Sequence, residues 1–241
     1  RKSRMSYLIE LQDTCKYFGG LKAVDHVNLA VKDGDLHCLI GPNGAGKTTI
    51  FKLIMGIYVP TKGRMIFSGK DITKLPTWKR VREGISIKMQ VPGVYLDLSL
   101  YDNIRIAIQR CASSKNMSSE IERLIELVGI KEIGNPLVRN MPHGQQQWLE
   151  IAMALASKPQ LLLLDEPAAG LGPEETEFTA EIVKRINDQG TTIIFIDHDM
   201  DFVAKLAKKT TVLHYGKVFA EGSFEEVHNN PDVINIYLGK V

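Results

Sequence analysis

The run Gly41-Pro42-Asn43-Gly44-Ala45-Gly46-Lys47-Thr48 has the spacing G-x-x-x-x-G-K-[ST], and Thr49 follows it. Glycines at these positions let backbone N–H groups turn inward around a phosphate, and the amino end of a following helix adds partial positive charge. Lys47 supplies a point charge toward the β- and γ-phosphates, and the Thr48 hydroxyl can ligate magnesium. The chemistry implied is binding of a nucleoside triphosphate with its metal ion. A glycine turn that matches by chance is the alternative, and it leaves a second motif unexplained.

That second motif is the pair Asp165-Glu166, directly after the four leucines Leu161 to Leu164. A carboxylate at the end of a buried strand can join a magnesium shell directly or through water, which points to Asp165. Glu166 is then left to act on the attacking water, and a positioned general base contributes about 10²–10⁴-fold to rate. The competing reading is a solvated acidic turn that caps the helix after Pro167.

These residues need a frame. The segment from Asp35 to Ile40 reads as a strand that enters the glycine loop, and Ile50, Leu53 and Ile54 recur at helical spacing in the stretch from Thr48 to Gly56. Leu161 to Leu164 reads as a second strand, and Thr191 to Ile196 as a third that ends at Asp197-His198. Strands separated by helical stretches predict a parallel sheet, with ligands collecting where the strand ends converge. Ser119 with Glu122 forms a potential capping box before Ile121, Leu124, Ile125 and Val128, and Gly129 stops that helix. About residues 91 to 158 read as a helical subdomain. A further helix is expected from Glu174 to Asn187, closed by Gly190.

Composition sets the limits. With 241 residues, 44% of them hydrophobic, the chain fits one large α/β domain. Thirty basic residues against 28 acidic ones give a net charge of +2, which offers no field for nucleic acid. Cys15, Cys38 and Cys111 lack the spacing of a disulfide framework or a metal motif and read as ordinary residues of a reducing compartment. The longest apolar runs are far shorter than the roughly 20 residues that cross a bilayer. Residues 1–4 are basic without an apolar stretch behind them, which is an extension rather than a secretory signal, so the domain is placed at 5–241.

Taken in order, the motifs resemble those of the ABC ATPase superfamily over nearly the whole chain, from about Leu8 to Gly239. The resemblance implies a P-loop NTPase (RecA-like) core of parallel sheet, with an antiparallel β subdomain and a helical subdomain. It assigns Phe18 to adenine stacking, although Tyr17 beside it fits as well. It makes Gln90 a contact to magnesium and water that reports to membrane subunits through Val91 to Tyr95, and His198 the switch histidine near the γ-phosphate. Met141-Pro142-His143-Gly144-Gln145 aligns with the signature Leu-Ser-Gly-Gly-Gln, so that His143, Gly144 and Gln145 would touch ATP bound to a second subunit in a head-to-tail dimer.

The same resemblance implies ATP and Mg2+ as ligands, transmembrane permease subunits as partners, an extracytoplasmic binding protein at one remove, and a peripheral place on the cytoplasmic face of the membrane. The stretches Cys38 to Gly41, His143 to Ile151, His198 to Val203 and Ile236 to Gly239 are similar to ATPases of branched-chain amino acid and urea importers, nearest the urea type, which implies import of urea, amides or branched-chain amino acids. Two departures stand out. Pro142 replaces the signature serine and brings neither hydroxyl nor N–H, and Ala168-Ala169-Gly170-Leu171-Gly172 has glycine where many relatives carry aspartate. Pro142 opens the alternative of an ATP-binding partner, in a heterodimer, with little hydrolysis of its own. An Asn-Lys-x-Asp guanine motif and a long coiled-coil insertion are both absent, which argues against GTPases and soluble ABC proteins.

Overall fold

The computed structural model describes residues 7–90, 93–109 and 116–237. Residues 1–4, Val91, Cys111, Leu238 and Gly239, which entered the sequence reading, lie outside them.

The chain opens with two long strands, β1 (Tyr7–Phe18) and β2 (Leu21–Lys32), paired antiparallel around the Gly19-Gly20 turn. Then follow β3 (Leu36–Ile40), α1 (Lys47–Ile54), β4 (Lys62–Phe67), β5 (Lys70–Asp71), α2 (Thr77–Glu83) and β6 (Ile85–Lys88). Three helices come next, α3 (Leu100–Ile108), α4 (Met117–Leu127) and α5 (His143–Leu155). The remainder alternates: β7 (Leu161–Asp165), α6 (Pro173–Asp188), β8 (Thr192–Ile196), α7 (Met200–Leu206), β9 (Lys209–His214), β10 (Lys217–Gly222), α8 (Phe224–His228) and α9 (Pro231–Tyr237).

Two sheets result. A four-stranded antiparallel sheet runs β2-β1-β4-β5, and a six-stranded sheet runs β10-β9-β3-β8-β7-β6. In the larger sheet β9, β3, β8, β7 and β6 are parallel, with β10 as an antiparallel edge. Uniformly apolar strands follow from burial on both faces, since alternate side chains enter different cores. On β7, Leu162 and Leu164 face a core shared with α3 to α7, whereas Leu161 and Leu163 face one shared with α1 and the antiparallel sheet. Helix α1 is thereby sandwiched between the two sheets, which fixes the loop in front of it.

The carboxyl end of α1 is held by a residue the sequence reading passed over. Arg80 of α2 is fully buried and donates from Nη1 to the carbonyls of Leu53 at 2.6 Å and Ile54 at 2.8 Å. Its Nε and Nη2 reach the carbonyls of Leu75 and Thr73. Leu53 and Ile54 close α1, and there a cation meets the negative pole of the helix dipole.

One expectation fails locally. Helix α4 begins at Met117, so Ser119 lies inside its first turn and donates to the Asn116 carbonyl at 3.0 Å instead of capping a helix with Glu122. A serine within a helix bonds back to a preceding carbonyl, and only one outside it can accept a free N–H. The expected stops do hold: Gly129 and Gly190 sit just past α4 and α6 with positive φ.

Candidate nucleotide site

The glycine loop joins β3 to α1 and is pressed against two neighbouring backbones. A Cβ on Gly41 would lie 2.2 Å from the Leu213 carbonyl oxygen, and one on Gly46 2.4 Å from that of Ala23. Both glycines have positive φ, so at these two positions conformation and space demand the same residue. Within the loop the Ala45 N–H donates to the Pro42 carbonyl at 3.1 Å. Lys47 folds over the loop and donates from Nζ to the carbonyls of Gly41 at 2.6 Å and Pro42 at 3.0 Å. Burial lowers its pKa, and the nearby Glu166 and Asp165 carboxylates oppose that shift.

Asp165 closes β7, is 2% exposed, and lies beside the Thr48 side chain. Burial raises its pKa and the charge of Glu166 raises it further, against the Thr48 hydroxyl, Lys88 and Lys47. Adjacent carboxylates beside a hydroxyl, with their charge poorly solvated, suit a hard divalent cation that prefers oxygen ligands.

Glu166 has φ of 50°, a left-handed conformation, and its N–H donates to Ile196 of the neighbouring strand at 2.9 Å. The turn aims its carboxylate away from the core, between two side chains from other strand ends. Gln90, past β6, donates from Nε2 to Oε2 at 2.8 Å. The His198 ring nitrogen Nε2, past β8, lies 2.6 Å from Oε1.

A cleft of about 370 Å3 joins these groups. Phe18 and Leu21 form one wall, residues 43–49 the floor, and Gln90, Glu166 and His198 the other side. Phe18 is 40% exposed and meets Tyr58 edge-on at 5.1 Å. Tyr17 turns the other way and donates its hydroxyl to Asp25 Oδ1 at 2.8 Å, so the choice the sequence left between the two aromatics falls to Phe18 as the cleft wall. A larger apolar hollow of about 500 Å3 borders the far side of His198, between Ile40, Met200, Val227 and Val233, but it lacks the polar grip a triphosphate requires.

The signature residues lie outside this cleft. Pro142 precedes α5 with φ of −53°, one position before the helix, and gives no side-chain cap. A Cβ on Gly144 would lie 2.4 Å from the Glu175 carboxylate, so any larger residue there displaces that side chain. His143 reaches the loop after Glu166, with Nε2 3.4 Å from the Ala169 carbonyl oxygen and 3.3 Å from Gln147 Nε2. Gln145 follows in the first turn of α5 and is half-buried.

Three site-supporting residues were missed. Asp197, 5% exposed, accepts the N–H groups of His198 at 2.8 Å, Asp199 at 3.0 Å and Ala168 at 3.4 Å, and so orders the loops on both sides of Glu166. Its position beside His198 was the available signal. Lys88 of β6 lies 3.8 Å from Glu150 of α5, and the other oxygen of Glu150 accepts the Gly93 N–H at 2.6 Å. No local spacing links positions so far apart.

The ABC transporter family model matches residues 24–169. The high-affinity branched-chain amino acid transport ATP-binding protein BraF of Pseudomonas aeruginosa is 35% identical over 250 residues, spanning 97% of this chain and 98% of that protein. The corresponding LivG protein of Escherichia coli is 34% identical over 97% of this chain and 98% of its own length. An ATP-binding cassette of an ABC transporter in its ADP conformation superposes with a TM-score of 0.88 at 28% identity, over 97% of this chain and 99% of that one. Among the described residues, no helix is long and apolar enough to cross a membrane. A family match over more than half the chain, on a fold whose three strand ends converge on the glycine loop, has one meaning: the chain belongs to the ATP-binding subunits of ABC transporters and is an ATPase.

Proposed function

We propose that this chain powers an importer of branched-chain amino acids from the cytoplasmic face of a membrane, as one half of an ATPase dimer that engages permease subunits. The 34–35% identity to branched-chain amino acid transport proteins over nearly full length supports that substrate class ahead of the urea or amide reading. The observation that carries the hydrolytic role is Glu166, held between Gln90 and His198 above the glycine loop.

In this reading the adenine stacks on Phe18, backbone groups of residues 41–49 cradle the phosphates, and Lys47 exchanges loop carbonyls for phosphate oxygens. Thr48 and Asp165 would hold a magnesium ion, with Gln90 within reach, and the ion would neutralise charge on the β- and γ-phosphates. Glu166 orients water for in-line attack, and Lys47 and His198 stabilise the charge that develops. His143, Gly144 and Gln145 of a second subunit close the site.

Pro142 favours pairing with a non-identical ATPase. A missing charge-assisted hydrogen bond is worth about 1.5–3 kcal/mol, so one of the two shared sites would be slower. ATP hydrolysis and light scattering on wild type and Glu166→Gln test the scheme. Loss of hydrolysis with accumulation of an ATP-bound dimer supports it, whereas a persistent monomer counts against the shared site. Hydrolysis by a purified homodimer at a rate that Pro142→Ser does not raise counts against the heterodimer. Uptake of labelled leucine and labelled urea by cells with and without the chain separates the two substrate classes.

A further inference from the structure

We propose that the β1–β2 hairpin carries a second metal site, in which the Cys15 thiolate, the Asp25 carboxylate and the His26 imidazole bind Zn2+. Their ligand atoms all lie within 4.8 Å of one another. Nε2 of His26 is 3.8 Å from Oδ1 of Asp25. Tetrahedral zinc, with bonds of about 2.0–2.3 Å, sets its donors about 3.3–3.6 Å apart, so modest side-chain shifts complete the site.

The backbone is bent to make this cluster. The ladder between β1 and β2 shifts register between Leu11 and Thr14 and again before Lys16, and bulges of this kind re-aim side chains. Asp13 and His26, neither a glycine, both adopt left-handed φ, of 50° and 54°. Asp13 then places Oδ1 2.6 Å from His26 Nδ1. A carboxylate on that nitrogen fixes the tautomer and turns the Nε2 lone pair toward the cluster, as it does for zinc-binding histidines.

The other two donors are also prepared. The His26 N–H points at the Cys15 sulfur at 3.2 Å, and the same sulfur lies 3.8 Å from the Asp13 carbonyl oxygen. Lys22 and Lys217 approach Asp25 through Oδ2, at 3.9 Å and 3.5 Å, which leaves Oδ1 toward His26 and the Tyr17 hydroxyl. Cys15 and Asp25 are buried whereas His26 is exposed, so an ion has an entry side and water can fill the fourth position. Binding replaces the thiol proton, which passes to solvent. Thiolate and imidazole select zinc over magnesium, so this site and the Thr48-Asp165 site would take different ions. The site stands three positions before Phe18 on the same strand, and metal there would pin the strand that bears the cleft wall.

Co2+ serves as the probe, titrated into the full chain without nucleotide. We expect one equivalent to give a sulfur-to-metal charge-transfer band with intense tetrahedral d–d bands, displaced by Zn2+. Cys15→Ser should abolish the sulfur band. His26→Asn, which tolerates the left-handed backbone, should weaken binding by more than about tenfold. Both variants should keep wild-type ATP affinity in the presence of a chelator, which reports that they fold, and if Cys15→Ser does not fold, His26→Asn alone decides. The magnesium site contributes no sulfur and does not mimic the band. A weak octahedral spectrum, or a sulfur band that survives Cys15→Ser, overturns the proposal and leaves the cluster as a histidine bridging Asp13 and Asp25.

Discussion

Two buried cations support the nucleotide site, and they are satisfied in opposite ways. Arg80 spends its guanidinium on the neutral carbonyls of Leu53, Ile54, Thr73 and Leu75, all between 2.6 and 3.0 Å. Burial lowers its pKa to about 10, so it stays charged at any physiological pH. Lys88 is held loosely, 3.8 Å from Glu150 and 3.5 Å from the Glu166 carbonyl, and Glu150 Oε2 has no hydrogen-bond partner. Saturated short bonds make Arg80 a permanent plug under α1. Long bonds shared between β6, α5 and the loop after β7 make Lys88 a joint, able to lengthen at small cost.

Removing the plug should have the largest effect on stability. Arg80→Met strands the carbonyls of Ile54, Thr73 and Leu75, since Leu53 keeps the Gly56 N–H, and we expect a loss of at least about 3 kcal/mol, or roughly 6–12 °C in melting temperature. Hydrolysis per folded molecule should persist. Calorimetry combined with activity measured well below the melting point checks both, and a small shift would show that water replaces the guanidinium.

The joint should behave differently. Lys88→Met leaves Glu150 without a counter-charge, but burial already raises the pKa of Glu150, so the carboxyl can take up a proton. Its folded pKa then lies further above the unfolded value, and between the two the folded chain holds the extra proton. Stability falls as pH rises through that window and recovers as pH falls. We expect a deficit of about 1–2 kcal/mol near neutrality that shrinks in acid, with ATP binding intact and hydrolysis reduced. A pH-independent deficit as large as that of Arg80→Met would erase the distinction.

Asp165→Asn carries the comparison to the acidic side. Burial and Glu166 raise the pKa of Asp165, so an amide removes a penalty present above that pKa. The nucleotide-free variant should melt higher, by about 2–4 °C per kcal/mol relieved, while losing hydrolysis. Lower melting would mean that the Thr48 hydroxyl outweighs the burial of charge. The smallest change is expected from Pro142→Ser, which offers α5 an N-cap of about 1 kcal/mol and restores the signature hydroxyl. Melting and turnover should both rise, and unchanged turnover would show that the signature hydroxyl does not limit hydrolysis.

Much of this was legible in the chain itself. The glycine loop, Asp165-Glu166 and the strand before His198 could be read because each function sits within a few residues of the element that aims it. The gathering of Gln90, Glu166 and His198 was legible only through resemblance, since their meeting depends on strand order β6, β7, β8. Arg80, Lys88 and Glu150 left no local trace, because a charge is expected outside and its burial depends on partners distant in sequence. Ser119 misled for the converse reason: a capping pattern sat two residues inside a helix that had already begun.

The twofold grip on Glu166 has a last consequence. Gln90 and His198 each engage one carboxylate oxygen, and each oxygen keeps a second lone pair with which it can accept from a water. The carboxylate is therefore oriented from two separate strand ends at once, after β6 and after β8, and a displacement of either end turns it.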